Sequence, residues 1–183
     1  MFRARTILAS AAICLVLTGC GDDAEDDEKG RAASSSDACE QTEVTATYPD
    51  GTEVDLDRSV AVNLGEGAAY TIYAADYAVE NLDTLTGATP GESDNLATLA
   101  ITTFNAEGTP EQVEEGARIE WTDEFGVLTF SVVLNQGATA SGNTAGASGT
   151  VDVVSVDEAT ICVDVDYSDD EKSLVGTIVA DVV

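Results

Sequence analysis

The chain has 183 residues, enough for one ordinary domain with tails, and carries a formal net charge of −28 from 35 acidic and 7 basic residues. Such an acidic chain repels nucleic acid and anionic lipid headgroups, which leaves cations and basic proteins as the partners its charge favours. It contains no histidine, which excludes Ser–His catalytic pairs and removes the commonest zinc ligand.

The first nineteen residues have the organisation of a secretory signal. Arg3 and Arg5 give a positive start, and residues 6–18 are almost all apolar or small. This apolar run is shorter than the about 20 residues that a membrane-spanning helix needs. A positive start, a short apolar run and a small-residue exit predict a signal peptide over residues 1–19.

Residues 17–20, Leu-Thr-Gly-Cys, resemble the lipobox of bacterial lipoproteins at each of their four positions. The resemblance implies cleavage before Cys20 and diacylglycerol on its sulfur, with or without acylation of the new amine by a fatty acid such as palmitate. It also implies a place in the cell envelope, anchored to the membrane on its extracytoplasmic side. Several acyl chains give stable attachment where one would be marginal. An ordinary signal peptide with an incidental cysteine, and a signal anchor, are the alternatives.

Residues 20–38 are expected to form a lipidated, acidic and disordered tether. Six of residues 22–28 are acidic, and the stretch that follows is rich in alanine and serine. Clustered like charge and low hydrophobicity favour an extended chain. Removal of Arg3 and Arg5 with the signal would leave 5 basic and 35 acidic residues, 5 − 35 = −30. A metal-sequestering acidic tail is the alternative interpretation.

Two of the four cysteines remain for the folded body. Cys14 lies in the signal and Cys20 is the lipidation candidate. In an oxidising compartment the remaining pair predicts a Cys39–Cys162 disulfide. Because Cys162 alternates with apolar residues along its strand, we expect it to point to the solvent side. Two free thiols, or a bond to another chain, are the alternatives.

Residues 39–183 are predicted to form one β-rich domain. Short alternating segments are separated by turn residues, with hairpins at 43–57 and 150–167. About eight or nine strands with little helix favour an antiparallel β-sandwich, and a small lipocalin-like β-barrel is the alternative. Segments with a strand-like pattern cover 43–48, 52–57, 59–64, 69–74, 96–104, 117–121, 127–134, 150–156, 160–167 and 174–182.

Three connecting segments carry separate expectations. A capping-box pattern with Pro110 at the first helical position predicts a turn or two of helix that ends by Gly116. Residues 117–121 and 127–134 are expected to pair with each other. Residues 137–149 consist almost entirely of Gly, Ala, Ser, Thr and Asn, which predicts a flexible loop, with the rim of a binding site as the alternative.

Two glycine-led segments, 149–151 and 176–178, are similar to hairpins found in small secreted β-rich domains of bacterial lipoproteins with no characterised role. The resemblance implies no function. It is consistent with the β-rich architecture that the alternating pattern predicts.

The acidic end of one predicted strand is a candidate calcium site. Its candidate ligands are Asp164, Asp166, Asp169 and Asp170, since Ca²⁺ takes six to eight oxygen ligands. An EF-hand loop starting at Asp164 fails, because Asp169 replaces the turn glycine and Val175 replaces the bidentate glutamate. A solvated acidic strand end is the alternative interpretation.

No catalytic residue can be assigned. The chain has no G-x-S-x-G, P-loop or dinucleotide-binding motif, and no cofactor other than Ca²⁺ is suggested. Among so many acids, pairs suited to a glycosidase arise by chance. The sequence therefore favours a membrane-anchored, non-catalytic binding or interaction module with a basic protein or a cation as partner. A carrier of a small apolar ligand and an acid-residue hydrolase are the alternatives, and the sequence does not indicate an oligomeric state.

Overall fold

The structure is a computed structural model that describes residues 39–79, 82, 88–105, 107–122 and 129–183. The proposed signal peptide, the lipidation candidate Cys20 and the acidic tether lie outside these residues. Within the described part of the chain, no helix is long and apolar enough to cross a membrane.

Every regular element of the described residues is a β-strand, as the all-β prediction requires. The twelve strands are β1 (Glu43–Thr47), β2 (Glu53–Leu56), β3 (Arg58–Leu64), β4 (Ala69–Ala75), β5 (Asn95–Phe104), β6 (Pro110–Glu111), β7 (Arg118–Glu120), β8 (Phe130–Gln136), β9 (Thr139–Ser141), β10 (Ser148–Val156), β11 (Thr160–Ser168) and β12 (Ser173–Val182). The prediction of eight or nine strands was too low, and the two strands without an expected counterpart, β6 and β9, have only two or three residues each.

The strands form one curled sheet in the order β7-β10-β11-β12-β3-β4-β5-β8-β9, with β1 and β2 added beside β12 and β6 beside β5. The sheet is mixed, which corrects the prediction of a purely antiparallel arrangement. β12 runs parallel to β3 through Asp181↔Val60 and Val182↔Ala61, whereas the other pairs are antiparallel.

The parallel pairing arises because β12 changes neighbours along its length. Its first half pairs with β1 as far as Thr177↔Glu43, and its end pairs with β3. Between the two, the Val179 N–H donates to Thr42 Oγ1 at 3.0 Å and the Val179 carbonyl accepts from Ser59 Oγ at 2.6 Å. The two hydroxyl oxygens are 2.7 Å apart, so the Thr42 hydroxyl can donate its one proton to Ser59 Oγ. Two side-chain hydroxyls thus replace the missing strand partner.

The inner faces of the curled sheet share one hydrophobic core. Three aromatic side chains bring together β8 and β11, which are far apart in the strand order. The ring centroids of Phe130 on β8 and Tyr167 on β11 are 6.2 Å apart. Trp121 makes edge-on contacts with both rings, at centroid distances of 5.3 and 6.0 Å. Each fully buried large apolar side chain contributes about 1.5–3 kcal/mol. Further core side chains are Tyr48, Leu56, Ile72, Leu99, Ile101, Leu134, Ile161, Leu174 and Ile178.

The predicted Cys39–Cys162 disulfide is present and links residues 123 positions apart. The expected exposure of Cys162 was wrong, since this side chain is 1% exposed. Cys162 points away from the face that Ile161 and Val163 share, but the disulfide places Cys39 against it, and it is buried. Ser155, paired with Cys162, also contacts the Cys39 sulfur at 3.8 Å.

The three connecting segments differ from their predictions. The expected helix start forms β6, because Asn105 Oδ1 accepts the N–H groups of Glu107 and Thr109 and turns the chain back onto β5. β7 pairs with β10, not with β8, and β8 pairs with β5. The expected loop 137–149 contains β9 and the start of β10, and the two-residue turn after Gln136 returns the chain along β8.

Candidate functional site

One outer face of the curled sheet concentrates carboxylates, and we call it the acidic face. It consists of the outward-pointing residues of β7, β10, β11, β12, β1 and β2, which alternate with core residues. Strand pairing aligns these residues in rows that cross the sheet. Its carboxylates are Glu43, Glu53, Asp55, Glu120, Asp152, Asp164, Asp166 and Asp181.

Hydroxyl and carboxylate side chains on neighbouring strands hold one another in place on the acidic face. Thr177 Oγ1 donates to Asp164 at 2.5 Å, and Thr45 Oγ1 donates to Asp55 at 2.8 Å. One cation lies on this face: Arg118, whose guanidinium donates to both oxygens of Asp152 at 3.0 and 2.9 Å. The remaining carboxylates leave a surface suited to positively charged groups.

The structure does not bring the four calcium candidates to one point. Asp164 and Asp166 lie on the acidic face of β11, whereas Asp169 and Asp170 follow the end of that strand. Asp169 is turned inward and bonded to protein groups, and Asp170 is exposed. Among the described residues, no group of three or more acidic or cysteine side chains is arranged to hold a metal ion.

Asp169 is the centre of a buried polar network that joins two turns. Its Oδ2 accepts from Lys172 Nζ and Tyr167 OH, each at 2.6 Å, and from the Thr144 N–H at 3.2 Å. Its Oδ1 accepts the Lys172 N–H at 2.9 Å. Lys172 Nζ also donates to the Gly142 carbonyl. The network fastens the segment after β9 to the turn between β11 and β12.

These contacts determine the protonation of the network. Burial alone would raise the pKa of Asp169, but hydrogen bonds from Lys172 and Tyr167, together with backbone N–H groups, hold it well below its usual 3.8. Burial raises the pKa of Tyr167 well above 10.0, and its hydrogen bond to Asp169 adds to that effect. Asp169 is therefore a charged structural group at neutral pH, unlike a catalytic acid, which needs a raised pKa.

Among the surface grooves that border the sheet, two contain residues of the acidic face. A groove of about 540 Å³ lies along β1 and β2, and its lining includes Glu43, Asp55 and Asp57. It continues the acidic face. A second groove of about 500 Å³ is lined by Thr102, Thr103, Phe104, Arg118, Ile119, Glu120, Trp121, Thr122 and Thr129. The Trp121 ring packs against Phe130 and Tyr167 at the core.

Sequence reasoning missed the buried role of Lys172. The signal was available: Lys172 follows Asp169 by three positions in a turn that joins two strongly apolar strands. A turn lysine is ordinarily exposed, and the groups that surround this one come from residues 142–144, which are distant in sequence.

Comparison with known protein families, with curated proteins and with solved structures found no match to this chain.

Proposed function

We propose that this protein is an envelope lipoprotein, anchored through Cys20 on the extracytoplasmic side of the membrane, whose body binds a basic protein without catalysis. The observation that carries the binding proposal is the acidic face, where eight carboxylates are accompanied by one arginine. The compartment is supported by the lipobox residues and by a disulfide, which requires oxidising surroundings to persist.

The distribution of charge favours an extended basic partner over a single metal ion. Asp55, Asp164 and Asp166 lie on two strands separated by β12 and β1. Carboxylates spread over several strands match lysines and arginines spaced along a polypeptide segment, whereas Ca²⁺ needs its oxygen ligands within 2.3–2.6 Å of one point. Contacts of this kind govern association rate and partner choice more than affinity.

A filled β-sandwich is the arrangement that we propose for the curled sheet, in preference to a barrel that holds a small apolar ligand. The contact of Phe130 with Tyr167 across the two halves supports face-to-face packing of the sheet layers. Trp121 packs against both of these rings. This favours a binding surface outside the sheet over a ligand cavity within it.

Lipidation can be tested by metabolic labelling with an alkyne fatty acid in a bacterial host. We expect the wild-type chain to carry the label, to fractionate with membranes and to lack residues 1–19. A Cys20→Ser variant should lose the label and the membrane association. Equal labelling of both chains would contradict the anchor.

The acidic face can be tested with a lysine- and arginine-rich peptide as probe. The triple variant Asp55→Asn, Asp164→Asn, Asp166→Asn removes three charges from the face. The matched control Glu107→Gln, Glu114→Gln, Glu115→Gln removes three exposed charges elsewhere. At about 0.5 kcal/mol for each lost pair, we expect about tenfold weaker binding by the first variant.

The control variant should bind the peptide within about threefold of wild type, and added salt should weaken binding by wild type and control alike. Equal loss of affinity in the two triple variants would mean that the peptide responds to net charge alone. That result would contradict a defined binding face.

A further inference from the structure

The strand β2 lies at an open edge of the sheet. It pairs with β1 alone, and its four residues make it longer than β6, β7 and β9, the other strands with a single partner. An edge strand presents a row of unpaired N–H and C=O groups to which a further strand can bind. β2 therefore offers an open ladder to an added strand.

The pairing of β2 with β1 shows which of its backbone groups are open. The Tyr48 N–H donates to the Thr52 carbonyl at 2.8 Å, so alternate residues from Thr52 onward turn their backbone groups towards β1. The residues between them, Glu53 and Asp55, turn their N–H and C=O groups away from β1. These four groups form no hydrogen bond with another described residue.

The side chains beside these open groups are carboxylates. Glu53, Asp55 and Asp57 are exposed and alternate with Val54 and Leu56, which pack into the core. Three negative charges therefore lie at every second position along the edge, on the acidic face.

The cations of the chain leave this edge negative. Arg58, at the start of β3, lies 3.5 Å from Asp57, but the two side chains are 64% and 68% exposed, which makes the pair weak. Among the described residues, Glu53 and Asp55 take part in no ion pair. The groove along β1 and β2 places Glu43 with Asp55 and Asp57 in its lining, so a cationic side chain at this edge meets carboxylates from both strands.

We propose that the basic partner binds as an added antiparallel strand along β2. This inference rests on the proposed function and names the binding mode and the segment recognised, an extended stretch with lysine or arginine at every second position. In an antiparallel pair, directly opposite side chains share a face. The basic side chains would therefore lie opposite Glu53 and Asp55, while the backbone of the same residues bonds to the open groups of β2.

Charge selects this occupant over a second copy of the chain. Two β2 edges from two copies would set carboxylate opposite carboxylate, which is destabilising. Charged side chains on an edge strand ordinarily guard against such self-pairing. Negative charge does so without repelling a basic segment, so the same three carboxylates exclude a second copy and admit a partner of opposite sign.

The test uses the whole chain in neutral detergent and a peptide in which threonine and lysine alternate. Two isomers of the peptide carry the same number of backbone N-methyl groups, one on its lysine amides and the other on its threonine amides. We expect methylation at lysine to weaken binding at least about tenfold, because those N–H groups donate to β2. Methylation at threonine should change affinity by less than about threefold, because those N–H groups point away from β2.

Amide hydrogen exchange and one variant pair locate the added strand. Saturating unmethylated peptide should slow exchange at the Glu53 and Asp55 amides at least about tenfold. Asp55→Pro removes one open N–H and keeps the bonds to β1, whereas the matched control Asp55→Asn removes the charge alone. The proline variant should bind the peptide at least about fivefold more weakly than the asparagine variant.

The peptide isomers and the exchange measurement both use the wild-type chain, so neither depends on the folding of a variant. Equal affinity of the two isomers, or unchanged exchange at Glu53 and Asp55 with peptide bound, would overturn strand addition. The basic-partner proposal would survive that result if the charge-removing triple variant still weakened binding. A wild-type chain that does not bind the unmethylated peptide would overturn both proposals.

Discussion

Lys172 and Asp169 form an ion pair in which both side chains are completely buried, with Nζ and Oδ2 2.6 Å apart. Taking two charges out of water costs several kcal/mol each, and close pairing with further hydrogen bonds offsets that cost. Here Tyr167, Gly142 and Thr144 supply the additional bonds. The buried pair is tolerated because the ion pair and the hydrogen bonds satisfy both side chains. Removing either side chain leaves the other as an unpaired buried charge, whose desolvation is no longer offset.

Removing the lysine should strongly destabilise the body. We expect Lys172→Met to lower the free energy of unfolding by about 3–5 kcal/mol, because it leaves the Asp169 carboxylate buried without its cation. Arg118→Met breaks the exposed pair with Asp152 and should cost less than about 1 kcal/mol. Urea unfolding of both variants makes the comparison. Similar losses in the two would contradict the assigned role of the buried pair.

Asp169 should also make the body sensitive to acid. Its pKa in the folded state lies below the ordinary 3.8, so its stabilising contribution is complete above that pH and is lost as the pH falls through the folded value. We expect wild type to lose more stability than Asp169→Asn between neutral and strongly acid pH. Subtracting one pH profile of stability from the other removes the effect of acid on the other carboxylates, which the two chains share. Parallel pH profiles would contradict a lowered pKa at this group.

The point where β12 changes neighbours should be sensitive to a single hydroxyl. Thr42→Val keeps the shape of the side chain but leaves the Val179 N–H without its acceptor, which should cost about 1–3 kcal/mol. Thr45→Val, which removes an exposed hydroxyl bonded to Asp55, should cost less than about 1 kcal/mol. Thermal unfolding of the two variants provides the measurement. Equal shifts in melting temperature would indicate that Val179 finds another partner.

Salt should stabilise the folded body. Its acids repel one another in the compact state, and about 1 M salt reduces the Debye length to about 3 Å. We therefore expect a higher melting temperature in concentrated sodium chloride than in dilute buffer. A melting temperature that is unchanged or lower in salt would show that self-repulsion does not limit stability.

Local sequence patterns predicted most of the strands. The features that these patterns did not predict depend on contacts between residues that are distant in sequence. The alternation of Ile161, Val163 and Val165 with polar neighbours was sufficient to place β11, and the count of cysteines was sufficient to predict the disulfide. The burial of Cys162 was missed because the residue bonded against it, Cys39, is far away in sequence. Periodicity within one strand reports which face a residue occupies, but not what lies over that face.

The candidate surfaces depend on strand order in the same way. The acidic residues were plain in the sequence, yet pairing across β10, β11, β12 and β1 is what gathers Asp152, Asp164 and Glu43 into one row.

The Cys39–Cys162 bond also decides how the body carries mechanical force. Tension on the chain before Cys39 passes through the sulfurs into β11, which is held by long ladders on both sides. The force therefore does not act first on the five-residue β1. When the oxidised chain is stretched between Cys39 and Val183, unfolding can release only the residues after Cys162, 183 − 162 = 21. A protein held by its N-terminal end would therefore keep residues 39–162 closed in one loop under a pull that could extend the whole body of the reduced form.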